Sequence, residues 1–155
     1  MYRLFLVFLA SACWACSSQN NTEQQLAAQI LADEQLQKVD SMARQLMKKG
    51  FYAGSGYQMV WARDLNTFIE LSCQEYDTAV IRENLLMFFH FQQENGELLD
   101  GYVPREGFTW DDPNTYESET APGHIGFKNT VETDQETSLI QAIHKYIMKT
   151  KDTGI

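Results

Sequence analysis

From Thr22 to Lys49 the apolar residues Leu26, Ile30, Leu36, Val39, Met42, Ala43, Leu46 and Met47 recur at three- and four-residue steps, with charges between them. That spacing predicts an amphipathic helix. Lys48 and Lys49 suit its last turn, and Gly50 suits the C′ position. The same periodicity predicts a second helix over Arg63–Glu75, carrying Leu65, Phe68, Ile69 and Leu71. A third, capped by Asp77, runs from Thr78 to Gln93 with Val80, Ile81, Leu85, Leu86, Phe88 and Phe89, and Asn95-Gly96 stops it. A fourth, Glu132–Lys149, carries Leu139, Ile140, Ile143, Tyr146 and Ile147.

Between the third and fourth helices lie about 35 residues, a long connection for a compact domain. They hold the turn signals Asp100-Gly101, Pro104, Asp111-Asp112-Pro113, Pro122-Gly123 and Gly126, and the rings Tyr102, Phe108, Trp110, Tyr116 and Phe127. So many aromatics argue against disorder. Residues 97–103 suit a short extended piece ending in a turn. The stretch reads either as a loop over the mouth of a cleft or as a packed surface loop covering the helices. The expected fold is therefore all-α: helical hairpins in sequence, short turns at one end and residue-rich loops at the other. In such a ring the second and fourth helices are inner and open at the same mouth.

Those two openings carry the candidate chemistry. Gly54-Ser55-Gly56-Tyr57-Gln58-Met59-Val60 leads into Trp61, Arg63 and Asp64, with two glycines allowing a sharp turn. A ring, a guanidinium and a carboxylate can together stack on a sugar and bond its hydroxyls. The second opening, Asn129 to Gln135, offers Glu132, Asp134 and Gln135. Ordinary helix chemistry also accounts for both, since acidic residues favour helix N-termini, and Thr133 with Glu136 fits a capping box.

A net charge of −9 without a basic cluster excludes nucleic acid as the partner. His90, His124 and His144 are scattered and lack metal-ligand spacing, so neither a metal nor a cofactor is expected. Met1-Tyr2-Arg3 forms a positive n-region, and Leu4 to Ala12 an apolar run too short to span a bilayer. Cys13 and Cys16 follow alanines, and the polar residues 17–21 come next. This resembles a bacterial lipoprotein signal over 1–16 with a tether over 17–21. Cys16 is the expected lipidation site and Cys13 the alternative; a plain secretory signal is a further reading. The chain is then expected in the bacterial cell envelope, lipid-anchored or periplasmic, touching membrane only through the anchor. Cys73 is the one remaining cysteine, so a disulfide framework is excluded from the mature chain.

Val60-Trp61-Ala62-Arg63-Asp64 before an inner helix resembles the Trp-x-Arg-Asp signature of six-hairpin, (α/α)6-barrel glycosidases, of the glucoamylase-like and debranching types. Val131-Glu132-Thr133-Asp134-Gln135-Glu136 is similar to the Asp-bearing entrance of the following hairpin in that family. The resemblance implies that residues 22–155 are the first part of an (α/α)6 toroid, truncated after four helices. It also implies a mostly inverting glycoside hydrolase acting on oligo- or polysaccharides. Substrate binding falls to Trp61, Arg63 and Asp64, and more loosely to Asp134, with Glu132 and Gln135 beside it. In the family the catalytic acid and base come from later hairpins, so no catalytic residue is assigned and the chain alone is expected to be inactive. Two other classes stay open: a toroid-fold polysaccharide lyase, which acid-rich entrances would disfavour for polyanionic substrates, and a non-catalytic helical lipoprotein that binds glycans or proteins.

Overall fold

The computed structural model describes residues 22–52, 58–109, 112–129 and 131–155. Cys13, Cys16, the tether, Gly54, Gly56 and Trp110 lie outside them. The chain divides into two compact units, Met1–Ala43 and Arg44–Ile155.

In the first unit the chain is helical over 22–32 (α1) and again from Glu34 in α2, Glu34–Met47. The single helix expected over Thr22–Lys49 is thus broken at Asp33. The Asp33 carboxylate accepts the backbone N–H of Gln35 at 2.8 Å and of Leu36 at 3.2 Å. A short acidic side chain competing for backbone N–H groups favours a cap over a helix interior. The predicted apolar stripe exists but stands exposed at Leu26, Ile30, Leu36, Val39 and Met42.

The second unit is a mixed helix-and-sheet fold, which overturns the all-α expectation and with it the hairpin toroid. A two-residue strand β1 (Val60–Trp61) leads directly into α3 (Ala62–Glu75), followed by α4 (Thr78–Met87) and a 3-10 turn over Phe88–Phe91. Then come β2 (Gly101–Pro104), β3 (Thr115–Tyr116), β4 (His124–Phe127) and α5 (Gln135–Thr150). The strands form one antiparallel sheet in the order β1-β2-β4-β3. Register is set by Val60 opposite Tyr102, Tyr102 opposite Gly126 and Tyr116 opposite Gly126. The segment read as a loop thus folds back on itself, because an ordered stretch must pair its backbone groups and strands do so locally. Of its turn signals, Pro113 and Pro122-Gly123 fall between the strands, whereas Gly101 and Pro104 lie in β2 and Gly126 in β4.

The helices bury part of the stripes their sequences predict: Leu65, Ile69, Ile81, Leu85, Leu139 and Tyr146 are buried, whereas Val80, Phe89 and Ile140 are exposed. Ala62, Leu65, Ile69 and Ser72 of α3 face Ser138, Leu139, Ala142 and Tyr146 of α5, and Ile81 and Leu85 of α4 join them. The third helix tightens to 3-10 after Met87 instead of running to Gln93, which buries Phe88 and Phe91 and leaves Phe89 exposed. Tyr102, read either as lying over a cleft mouth or as covering the helices, is a core residue: its ring stands edge-on to Phe88 at 5.1 Å and its hydroxyl donates to the Asn84 side chain at 2.7 Å. Sheet and core meet at Gly126, where an added Cβ would collide with Leu99 and come within 2.9 Å of Phe91. At the other edge Gly50, with φ of +121°, supplies the left-handed turn after α2, and its N–H donates to the Tyr76 hydroxyl at 3.2 Å.

Candidate functional site

The first turn of α3 is fixed from outside the helix. Trp61 pairs with Gly101 across β1 and β2, and the Ala62 N–H donates to the Asp100 carbonyl at 2.8 Å. The N-cap position, Trp61, contributes no side-chain cap, so the sheet does the capping. Arg63 and Asp64 therefore leave the helix at its mouth, and the half-buried Trp61 ring packs at 80° against Phe127, 5.7 Å between centroids.

The first turn of α5 is fixed in a similar way. The expected capping box over Thr133 and Glu136 does not form. Asp134 occupies the N-cap position without a side-chain cap, and the Glu136 carboxylate instead accepts the Leu98 N–H at 2.9 Å. A tertiary partner has taken the carboxylate that the local motif would have used.

These two mouths meet. Arg63 Nη2 lies 2.7 Å from Glu132 Oε2 and 2.9 Å from Asp134 Oδ1. All three side chains are at least a third exposed. Asp64 stands beside them; burial pushes its carboxyl above the usual range, Arg63 opposes that, and Glu132 adds to it. Asp64 accepts no hydrogen bond from the described residues. One cation thus sits among three carboxylates, a patch that repels anions and presents acceptor oxygens to hydroxyl donors. The contacting oxygens of Glu132 and Asp134 share one nitrogen of Arg63, which keeps them closer together than the about 6.5–9.5 Å that an inverting pair needs.

Gln135 does not join the exposed group. It is 3% exposed and turns inward, against the buried Asp100. Asp100 is a residue the sequence reading passed over, because Asp-Gly reads as a turn. Its Oδ2 accepts the Asn129 N–H. Burial raises its pKa and Glu132 adds to that, while hydrogen bonds from Asn129 and Gln135 and the charge of Lys128 work against it. Lys128, also buried, donates to the Leu98 carbonyl at 2.8 Å and faces Glu97 and Glu136 at 3.3 and 3.9 Å. No sequence signal marked Lys128 beyond its place just before the second opening, which Asn129 begins.

Elsewhere, His90 and His124 come to one groove of about 490 Å3 with Glu83 and Thr120, and Thr120 Oγ1 lies 3.0 Å from His90 Nδ1. Among the described residues, no three His, Cys, Asp or Glu side chains are placed to hold a metal ion, and no helix is long and apolar enough to cross a membrane. The chain matches no protein-family model, no curated protein and no solved structure.

Proposed function

We propose that the paired mouths of α3 and α5 bind a neutral, polyhydroxylated ligand, a sugar unit of an oligo- or polysaccharide. The observation that carries this reading is the convergence of Arg63, Glu132 and Asp134, from stretches far apart in the chain, on one solvent-open point. A guanidinium held by two carboxylates costs side-chain entropy, and an exposed pair returns little stability for it. Its better use is a prearranged set of one donor and several acceptors, which suits adjacent hydroxyls. Trp61 beside it offers an apolar surface for the C–H face of a sugar ring, and the resemblance of Trp61-Ala62-Arg63-Asp64 to the glycosidase signature points to the same ligand class. The acidic surroundings disfavour uronate polymers.

Titration of the purified chain with neutral gluco-, manno- and xylo-oligosaccharides, followed by calorimetry or amide chemical shifts, tests the reading. Saturable binding that Arg63→Ala abolishes supports it. Binding of uronate oligomers in preference to neutral ones, or no binding of any, overturns it.

A second reading, a role in glycoside hydrolysis, is favoured by Asp64. It is the carboxyl of the group without a direct Arg63 contact, and burial raises its pKa, the direction a general acid requires. Turnover of aryl glycosides lost in Asp64→Asn with binding retained would select this reading over simple binding.

A further inference from the structure

Away from the two helix mouths, one groove carries polar groups that the fold does not use. It lies between α4 with the 3-10 turn on one side and the β3–β4 connection with the start of β4 on the other. Its volume of about 490 Å3 falls within the roughly 300–1,000 Å3 of small-molecule sites. Leu86 and Met87 give it an apolar wall, and Glu83, His90, Thr120 and His124 give it polar ones.

The walls are held by contacts that leave the chemical groups free. Thr120 Oγ1 lies 3.0 Å from His90 Nδ1, and the Ser118 hydroxyl donates to the His90 carbonyl at 2.5 Å, so the connection is pinned to the 3-10 turn. His124 is oriented by packing alone: its ring stands edge-on to the buried Tyr102, 5.6 Å between centroids at 84°. Neither nitrogen of His124 makes a hydrogen bond to a described residue. Burial lowers the His124 pKa and His90 adds to that, against the pull of Glu83. The ring is therefore neutral near pH 7 and offers one donor and one acceptor.

The charges along the groove do not cancel. Arg82 is taken up elsewhere: its Nη2 donates to the Gly154 carbonyl at 2.7 Å, and its Nε lies 3.4 Å from Asp152 Oδ2. Glu83 has neither an ion pair nor a hydrogen bond among the described residues and reaches His124 only electrostatically. An anionic ligand would meet this carboxylate, and a neutral one would leave its charge unanswered. An ammonium group can donate to a carboxylate and to an imidazole nitrogen at once.

We propose that this groove is a second binding site, for a small organic amine whose ammonium group is held by Glu83 and His124 and whose apolar body lies on Leu86 and Met87. The flexible, polarizable Met87 side chain adapts to such a body. The site shares no residue with the cluster of Arg63, Glu132 and Asp134 and does not depend on the carbohydrate reading.

Calorimetric titration of the full chain with phenethylamine, benzylamine and agmatine tests this, with 2-phenylethanol and phenylacetate as neutral and anionic counterparts of the first. An amine should bind saturably, shift the His124 imidazole resonances and bind about tenfold or more tighter than the alcohol, while the acid does not bind. Glu83→Gln keeps the shape and should weaken amine binding by about tenfold with Tm unchanged, because Glu83 makes no contact that supports the fold. His124→Phe keeps a ring against Tyr102, removes both nitrogens and should also weaken binding. An alcohol that matches its amine, or an affinity that survives Glu83→Gln, would overturn the proposal. So would saturation without a shift at His124, or no binding of any of the three amines.

Discussion

Arg63 and Asp134 are 71 residues apart in the chain and 2.9 Å apart in the fold. The contact joins the first turn of α3 to the N-cap residue of α5, and it exists because these two helices pack side by side with their N-termini at one end. If it serves a ligand, its removal should cost function and not fold. Arg63→Ala is expected to abolish oligosaccharide binding with Tm nearly unchanged, because the ion pairs are solvent-exposed. Arg63→Lys should not restore binding, since a compact ammonium lacks the planar fork that spans carboxylate and ligand. Melting curves beside calorimetry decide it; a large drop in Tm for Arg63→Ala would make the pair structural.

Adjacent residues of α5 should behave oppositely. Leu139 is 1% exposed and Ile140 65%. Leu139→Ala is expected to cost about 2–5 kcal/mol and Ile140→Ala almost nothing. Urea unfolding of the two variants measures the difference, and equal effects would mean that α5 is rotated from the face described.

Gly126 has no room for a side chain. Gly126→Ala should destabilise the second unit by about 1–3 kcal/mol through overpacking against Leu99 and Phe91. A compensating Leu99→Ala should recover part of that loss. No effect in the single variant would show that the sheet sits farther from Phe91 than it does here.

Asp64 makes a prediction about pH. Its folded pKa is raised above the ordinary 3.8, so the folded state keeps the proton where the unfolded chain has lost it. Stability then falls as pH rises through the interval from the ordinary value to the folded one, and is flat beyond it. Asp64→Asn removes that contribution. The stability difference, wild type minus variant, should decline with rising pH across this interval, as followed by urea midpoints. A difference that grew with pH would mean that Arg63 outweighs burial at Asp64.

At Asp33 the expected effect is local. Asp33→Ala removes the cap of α2 and should cost about 1 kcal/mol of helix stability. Amide exchange at Gln35 and Leu36 should accelerate while α3 and α5 stay protected.

The helices were legible from apolar residues at helical spacing, which α3 and α5 bury in part: α3 begins one residue before the predicted start, and α5 begins three after it. The sheet was not. Its strands are two to four residues long, too short for an alternating pattern, and Val60 pairs with Tyr102 across the whole of α3 and α4. Only the extended piece expected over 97–103 overlaps a strand. The site residues Arg63, Asp64, Glu132 and Asp134 were readable as polar groups opening helices. Asp100 was hidden by its glycine neighbour, and Gln135 carries no mark of the face it turns to, since that depends on where the helix starts.

The way Asp100 ties the first turn of α3 to the sheet bears on when this chain acquires its site during folding. Asp100 reaches Asn129 over 29 residues, Leu98 reaches Glu136 over 38, and Arg63 reaches Asp134 over 71. Each of these loops must close, at an entropic cost, before its contact forms. The helices can form from local interactions early, but the two mouths acquire their shared geometry only when β2, β4 and α5 have all docked. The candidate site is therefore among the last things the folding chain completes, and a partly folded chain with full helical content would still lack it.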